Sequence, residues 1–194
     1  MSLADARARA DAHSPFLRGL IRREPELLAQ MDEAGFDAAL EAAIGRLDPA
    51  RPAPSLRQAR GGVALTAALA DLAGDWPLEK VTAALTRFAD TALDFAITSA
   101  FAEREQAPAG LTALALGKMG SFELNYSSDI DLIFLHESET LPRRAGEDPT
   151  EAAVRIVRRD SNLLSERTGD GYALRVDLRL RPDPDSTPSS LPLG

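Results

Sequence analysis

The stretch Leu114-Ala-Leu-Gly-Lys-Met-Gly-Ser-Phe-Glu-Leu-Asn-Tyr-Ser-Ser-Asp-Ile-Asp-Leu-Ile-Phe134 decides how this chain folds. It reads as a strand, a glycine loop with one lysine, a polar Ser127-Ser128 pair and a second strand carrying Asp129 and Asp131. Residues two apart in a strand project to one face, so the two carboxylates concentrate negative charge on that face. A hard divalent cation such as Mg²⁺ neutralises such a site. A metal beside a loop of phosphate-binding size points to phosphoryl or nucleotidyl transfer, because a metal stabilises both the attacking and the leaving oxygen.

Working outward on the carboxy-terminal side, Leu111–Leu116 and Ile130–Leu135 are apolar runs of strand length. Asp148-Pro149-Thr150-Glu151 opens a helix with an N-cap carboxylate, a first-turn proline and a capping-box glutamate, and the helix is expected to reach Arg167. Gly169-Asp170-Gly171 then turns the chain into a third strand, Tyr172–Leu180. There Arg175, Asp177, Arg179 and Arg181 alternate with Leu174, Val176, Leu178 and Leu180, which makes one face charged and the other apolar. Taken alone this is equally a surface ion-pair ladder. Placed beside the Asp129/Asp131 strand, Asp177 would complete a three-carboxylate site, and the flanking arginines would hold phosphate oxygens by bidentate hydrogen bonds. Gly117-Lys118-Met119-Gly120 joins two strands, so it is not a P-loop, and its plain reading is a glycine turn. The hydroxyls and backbone N–H groups of Ser127 and Ser128 stand immediately before the metal strand and suit a phosphate.

The amino-terminal side reads as helical. Pro15 and Pro25 fit first helical turns, and Phe16, Leu17, Leu20 and Ile21 give the spacing of one apolar face, as do Phe36, Leu40 and Ile44. Asp48–Ser55 carries three prolines and reads as a linker. A short helix is expected after Gly61-Gly62, stopped by Gly74. Pro77 then opens the strongest helix, whose Leu78, Val81, Leu85, Phe88, Ala92 and Phe95 step by threes and fours toward Glu105. The fold class is α+β: a helical region over 1–105, then a mixed-sheet catalytic core over 106–194.

Composition narrows the function. In 194 residues, 44% are hydrophobic and 5% aromatic, so alanine and leucine carry the packing of a helix-rich protein. A net charge of −8 speaks against a nucleic-acid backbone binder, which shows a basic stripe, but not against a nucleotide carried by a metal. No cysteine is present, which removes disulfides and thiolate zinc sites. His13 and His136 make no metal motif and read as surface or edge residues. No apolar run approaches the roughly 20 residues of a membrane span. The Met1-Ser-Leu-Ala-Asp-Ala-Arg7 start is not a signal peptide, so a cytoplasmic enzyme with no membrane or nucleic-acid partner is expected. The sequon Asn125-Tyr-Ser127 is a chance match in that setting.

Gly117 through Leu132 resembles the pattern of the DNA polymerase β-like nucleotidyltransferases, and more narrowly that of the glutamine synthetase adenylyltransferase/adenylyl-removing family, as does Val176 through Pro182. Asp71–Trp76, Leu78–Thr82 and Ser14–Leu17 resemble helical segments of the same family, so the likeness covers nearly the whole chain. The wording Glu123-Leu-Asn125-Tyr-Ser127 is closer to the amino-terminal, deadenylylating half. The resemblance implies a polymerase β-like palm and a phosphorolysis: inorganic phosphate attacks the AMP-tyrosine of glutamine synthetase, giving ADP and unmodified enzyme. It implies Mg²⁺ (or Mn²⁺) on Asp129, Asp131 and Asp177, with phosphate groups on Gly117, Lys118, Gly120, Ser127, Ser128 and Arg179. Glutamine synthetase and a PII signalling protein are the implied partners. The rival readings are adenylyl transfer from ATP to glutamine synthetase or another acceptor, and a catalytically silent binding or regulatory module. Two departures stand out. Ser121 replaces a glycine of the pattern, and the chain stops at Gly194, where a fragment or truncated version is expected.

Overall fold

Prolines set the helical boundaries of the amino-terminal part. The computed structural model describes residues 2–181, 183 and 186–193; Met1, Pro182 and Gly194, quoted above, lie outside them. Helices α1 (Leu3–His13), α2 (Pro15–Arg23), α3 (Pro25–Ile44) and α4 (Pro52–Ala73) each begin at or just after a cap or a first-turn proline. Ser14 caps α2 by accepting a hydrogen bond from the Leu17 N–H at 3.2 Å. A first-turn proline loses only an N–H that would have no helical partner, which is why Pro52 starts α4 rather than closing a linker. The expected linker over 48–55 is therefore half helix.

Gly61 and Gly62 do not interrupt α4 either; one helix of 22 residues runs through them. A Cβ on Gly62 would stand 2.8 Å from the Ala43 Cβ, and one on Gly61 would stand 3.2 Å from Leu20. The pair thus serves the close approach of α2 and α3 to the buried α4, whose Leu56, Val63, Leu65 and Leu69 are fully enclosed. Gly74 ends α4 in the left-handed conformation, φ 73°, as expected. Helix α5 (Leu78–Ala102) buries Val81, Phe88 and Ala92 along its stripe, but Leu78 at its start is 70% exposed.

Two compact units divide the chain: Met1–Phe88 with Glu123–Tyr126, and Ala89–Phe122 with Ser127–Gly194. Division by element type alone would fall near 105, whereas the packing boundary lies within α5. Ala100 and Phe101, with Ile97, join a cluster with Leu111, Leu141, Ala152, Ala153 and Ile156, so the end of α5 packs with the sheet.

The second unit is the β part of an α+β chain. Strand β1 (Leu111–Leu116) runs into α6, a single turn at Gly117–Gly120, and then antiparallel to β2 (Asp129–His136). The expected glycine loop is thus a helical turn. On its other side β2 pairs in parallel with β3 (Arg175–Asp177) at its start and with β4 (Ser190–Pro192) at its end. Helix α7 (Pro149–Ser165) comes between β2 and β3 in the chain and buries Ala152, Ala153, Ile156, Val157, Leu163 and Leu164. Its N-cap Asp148 accepts from the Glu151 N–H at 3.1 Å, but the Glu151 carboxylate accepts from Arg155 instead of completing the box.

The third strand is much shorter than the expected 172–180, because β3 has a pairing partner only along the first three residues of β2. Strand β4 is not expected from the sequence, because its Ser-Leu-Pro is too short and too proline-rich to register as a strand. That strand explains a further correction. His136 is fully buried rather than at a surface or edge, with Nδ1 2.9 Å from the Ser190 Oγ and Nε2 3.4 Å from the Thr150 Oγ1. Burial holds its pKa below the ordinary value. Among the described residues no helix is long and apolar enough to cross a membrane.

Asp160 on the inner face of α7 is completely buried, and neither carboxylate oxygen has a hydrogen-bond partner among the described residues. Desolvation pushes its pKa well above the usual carboxylate range. The folded chain then holds a proton there that the unfolded chain releases, so stability falls as pH rises above about 4. Asp160→Asn is expected to remove this dependence. Urea unfolding across pH 4–8 should show the variant gaining on the wild type with rising pH, at up to about 1.4 kcal/mol per pH unit, and matching it near pH 4.

Candidate functional site

Alternation along β2 sends Ile130, Leu132 and Phe134 into the core and leaves Asp129 exposed and Asp131 half-buried on the opposite face. The register of the parallel pair sets Asp129 opposite Arg175 and Asp131 opposite Asp177. Neighbouring strands lie about 4.8 Å apart, so Asp131 and Asp177 are side by side on one face with Asp129 two residues away. The expected placement of Asp177 beside the Asp129/Asp131 strand is what the sheet contains.

The turn after β1 closes on the same carboxylates. Leu116 pairs with Asp131, and Gly117 follows with φ 54°. A Cβ at Gly117 would stand 2.6 Å from the Asp131 Oδ2, so both the backbone angle and the space require glycine. Gly120 is needed for another reason: its Cβ would stand 2.5 Å from the Ala115 carbonyl oxygen. Ser121, in place of the pattern's glycine, has φ −93° and carries a side chain without strain; its hydroxyl donates to the Gly117 carbonyl at 3.2 Å. Lys118 is exposed on the turn and Met119 anchors it in the core.

The arginines divide into two kinds, which the sequence reading did not separate. Arg175 donates to the Ser127 carbonyl and so ties the loop before β2 to β3. Arg181 donates to the carbonyls of Leu178 and Thr187 and holds the chain beyond β3. Arg179 is turned onto the Asp177 carboxylate. Its Nε lies 3.0 Å from both oxygens of Asp177, its Nη2 lies 2.5 Å from Oδ2, and its backbone N–H donates to Oδ1 at 2.9 Å. These hydrogen bonds, the side chain's first and the backbone's second, bring the Asp177 pKa down to about 2. Asp177 raises the Arg179 pKa most, and the charges of Asp129 and Asp131 add to the effect. Ser127 is exposed and Ser128 half-buried directly before Asp129.

A family model described as glutamate-ammonia ligase adenylyltransferase matches residues 6–194. The chain belongs to that family. It is 42% identical over 202 residues to a bifunctional glutamine synthetase adenylyltransferase/adenylyl-removing enzyme of Caulobacter vibrioides, a match covering 94% of this chain and 20% of the relative. A relative of the same name from Rhodopseudomonas palustris is 40% identical, with 92% and 20% covered. One from Rhizobium meliloti is 36% identical, with 98% and 22% covered. The chain thus spans about a fifth of the length of these curated relatives.

The sheet register brings three aspartates, Asp129, Asp131 and Asp177, to one face, with the Gly117 turn packed against the Asp131 carboxylate. Among the described residues no three carboxylate or imidazole groups are drawn tightly enough together to enclose an ion. The Asp177 carboxylate is held by Arg179 instead.

The two turn positions give opposite expectations. Gly117→Ala is expected to lower stability by about 1–3 kcal/mol, from the forced left-handed backbone and the displaced Asp131 carboxylate. Ser121→Gly, at an ordinary φ, is expected to cost no more than about 1 kcal/mol through unfolded-chain entropy. Denaturant unfolding of the two variants in parallel checks the pair.

Proposed function

We propose that the second unit is a polymerase β-like nucleotidyltransferase palm, and that the chain removes AMP from adenylylated glutamine synthetase by phosphorolysis. The observation that carries this reading is the register that sets Asp131 beside Asp177, with Asp129 on the same face and the Gly117 turn closing against Asp131. The choice of removal over addition follows the Glu123-Leu-Asn125-Tyr-Ser127 wording. The relatives' own name carries both activities, which keeps ATP-dependent adenylylation as the second reading.

In the proposed reaction an oxygen of inorganic phosphate forms a bond to the adenylyl phosphorus as the bond from that phosphorus to the tyrosine oxygen breaks. The phosphate proton ends on the tyrosine oxygen, and ADP and unmodified glutamine synthetase result. Bound Mg²⁺ (or Mn²⁺) supplies charge neutralisation at the phosphates. Asp129, Asp131 and Asp177 would hold it, the three carboxylates being those that the sheet register brings to one face. The N–H groups and side chains of Gly117, Lys118, Gly120, Ser127 and Ser128 orient the phosphate groups, and Arg179 adds a guanidinium for their oxygens. Transfer of this kind rests on positioning and electrostatics, which a rigid sheet end and a short helical turn provide. A PII-type signalling protein as regulator and a cytoplasmic setting complete the proposal.

The test is nucleotide release from adenylylated glutamine synthetase with Mg²⁺ present. ADP that depends on added phosphate, and that falls at least about 100-fold in Asp177→Ala, is the expected result. AMP transfer from ATP without phosphate-dependent ADP would favour the second reading. Equal ADP from wild type and Asp177→Ala would contradict the assigned site.

A further inference from the structure

Phe122 stands in a backbone conformation that its side chain does not favour. Three described non-glycine residues are left-handed, Glu105, Phe122 and Asp183, and Phe122 is the aromatic among them, with φ 60°. A bulky side chain is strained in that region. The residue follows Ser121, the C-cap of α6, and its N–H donates to the Met119 carbonyl at 3.1 Å. Helices ordinarily place glycine at that point, because glycine takes the left-handed turn without strain. Core packing does not offset the strain, since Phe122 is 64% exposed. Neither the turn nor the core calls for phenylalanine, and an outlier of this kind marks a functional position.

We propose that Phe122 is a stacking platform for the purine base of the nucleotide, set by the α6 turn beside the groups that take its phosphates. The proposal rests on the nucleotide reading of the preceding subsection and extends it to the base. Gly117 opens α6 against the Asp131 carboxylate, where a Cβ would stand 2.6 Å from Oδ2. Phe122 comes just past the other end of the same turn, about 8 Å from Gly117 along a helical path. The base of a nucleotide whose phosphates lie against Gly117–Gly120 reaches that far. An exposed aromatic ring offers a π face on which a base stacks without needing a hydrogen-bond partner. The contact also needs a fixed backbone behind the ring. Met119, buried in the core, and the Phe122 N–H bond to its carbonyl supply one.

Isothermal titration calorimetry of the 194-residue chain with ADP and with inorganic pyrophosphate, in the buffer of the nucleotide-release assay, tests the platform. Phe122→Leu keeps an apolar side chain without a π face. It is expected to weaken ADP binding about 5–30-fold and to leave pyrophosphate binding unchanged. Phe122→Gly should lose ADP affinity to at least the same extent, yet unfold at a urea concentration no lower than wild type, because the left-handed strain is relieved. Phe122→Trp should bind ADP at least as tightly as wild type. Equal ADP affinity in wild type, Phe122→Leu and Phe122→Gly would overturn the platform and leave the nucleotide reading standing; slower AMP removal by those variants would then assign the ring to the protein substrate. A loss of pyrophosphate affinity matching that of ADP would also overturn the platform, since the residue would then act by shaping the turn. Binding of neither ligand to the wild type would overturn the nucleotide site and the platform with it.

Discussion

The candidate site depends on one register, Asp131 opposite Asp177 across the parallel β2–β3 pair. A slip of one residue would send Asp177 toward the core and bring Val176 to the carboxylate face. The chain fixes the register from both sides. Ile130 and Leu132 are fully buried on the inner face, as are Ile156, Val157 and Leu164 of α7. The entry to β3 is pinned because the N–H groups of Ala173 and Leu174 both donate to the Leu164 carbonyl, each at 2.9 Å. The Arg175 bond to the Ser127 carbonyl then ties β3 to the start of β2. Apolar burial on one face thus determines which polar groups meet on the other.

Gathering three carboxylates has an electrostatic cost, and the structure meets it at the solvent-facing end of the sheet with a guanidinium. Asp177 meets that guanidinium directly, through hydrogen bonds to both of its oxygens. The Gly117 turn contributes by what it lacks: with no side chain there, the Asp131 carboxylate fits directly against the backbone that enters the turn. The same unit contains a buried carboxylate with no hydrogen-bond partner among the described residues, Asp160 of α7. A charge-ready carboxylate at the surface and a proton-bearing one in the core are products of a single helix–sheet packing.

Much of this was legible in the sequence because the signals were local. Alternation in 129–136 and the shared face of Asp129 and Asp131 follow from the two-residue period of a strand, whereas the place of Asp177 beside them depends on a strand pairing the sequence gives only as a condition. The capping aspartate at 148, the prolines at 15 and 25 and the glycine at 74 act on their own turns. What was missed depends on partners distant in the chain. Gly61-Gly62 looks like a break until Ala43 and Leu20 are placed beside it. Pro52 looks like a linker residue until the helix it starts has a core to enter. His136 looks like an edge residue until β4, 54 positions on, covers it. The alternating arginines of 175–181 look equivalent, and only the carbonyls and carboxylates around them separate two structural clamps from the one group at the site.

The most direct test of the account is a crystal structure of this chain grown with Mn²⁺ and ADP, with anomalous scattering used to locate the metal. The account predicts an anomalous peak within coordination distance of Asp129, Asp131 and Asp177. A metal bound elsewhere, or bound nucleotide with no metal at the three aspartates, would contradict it.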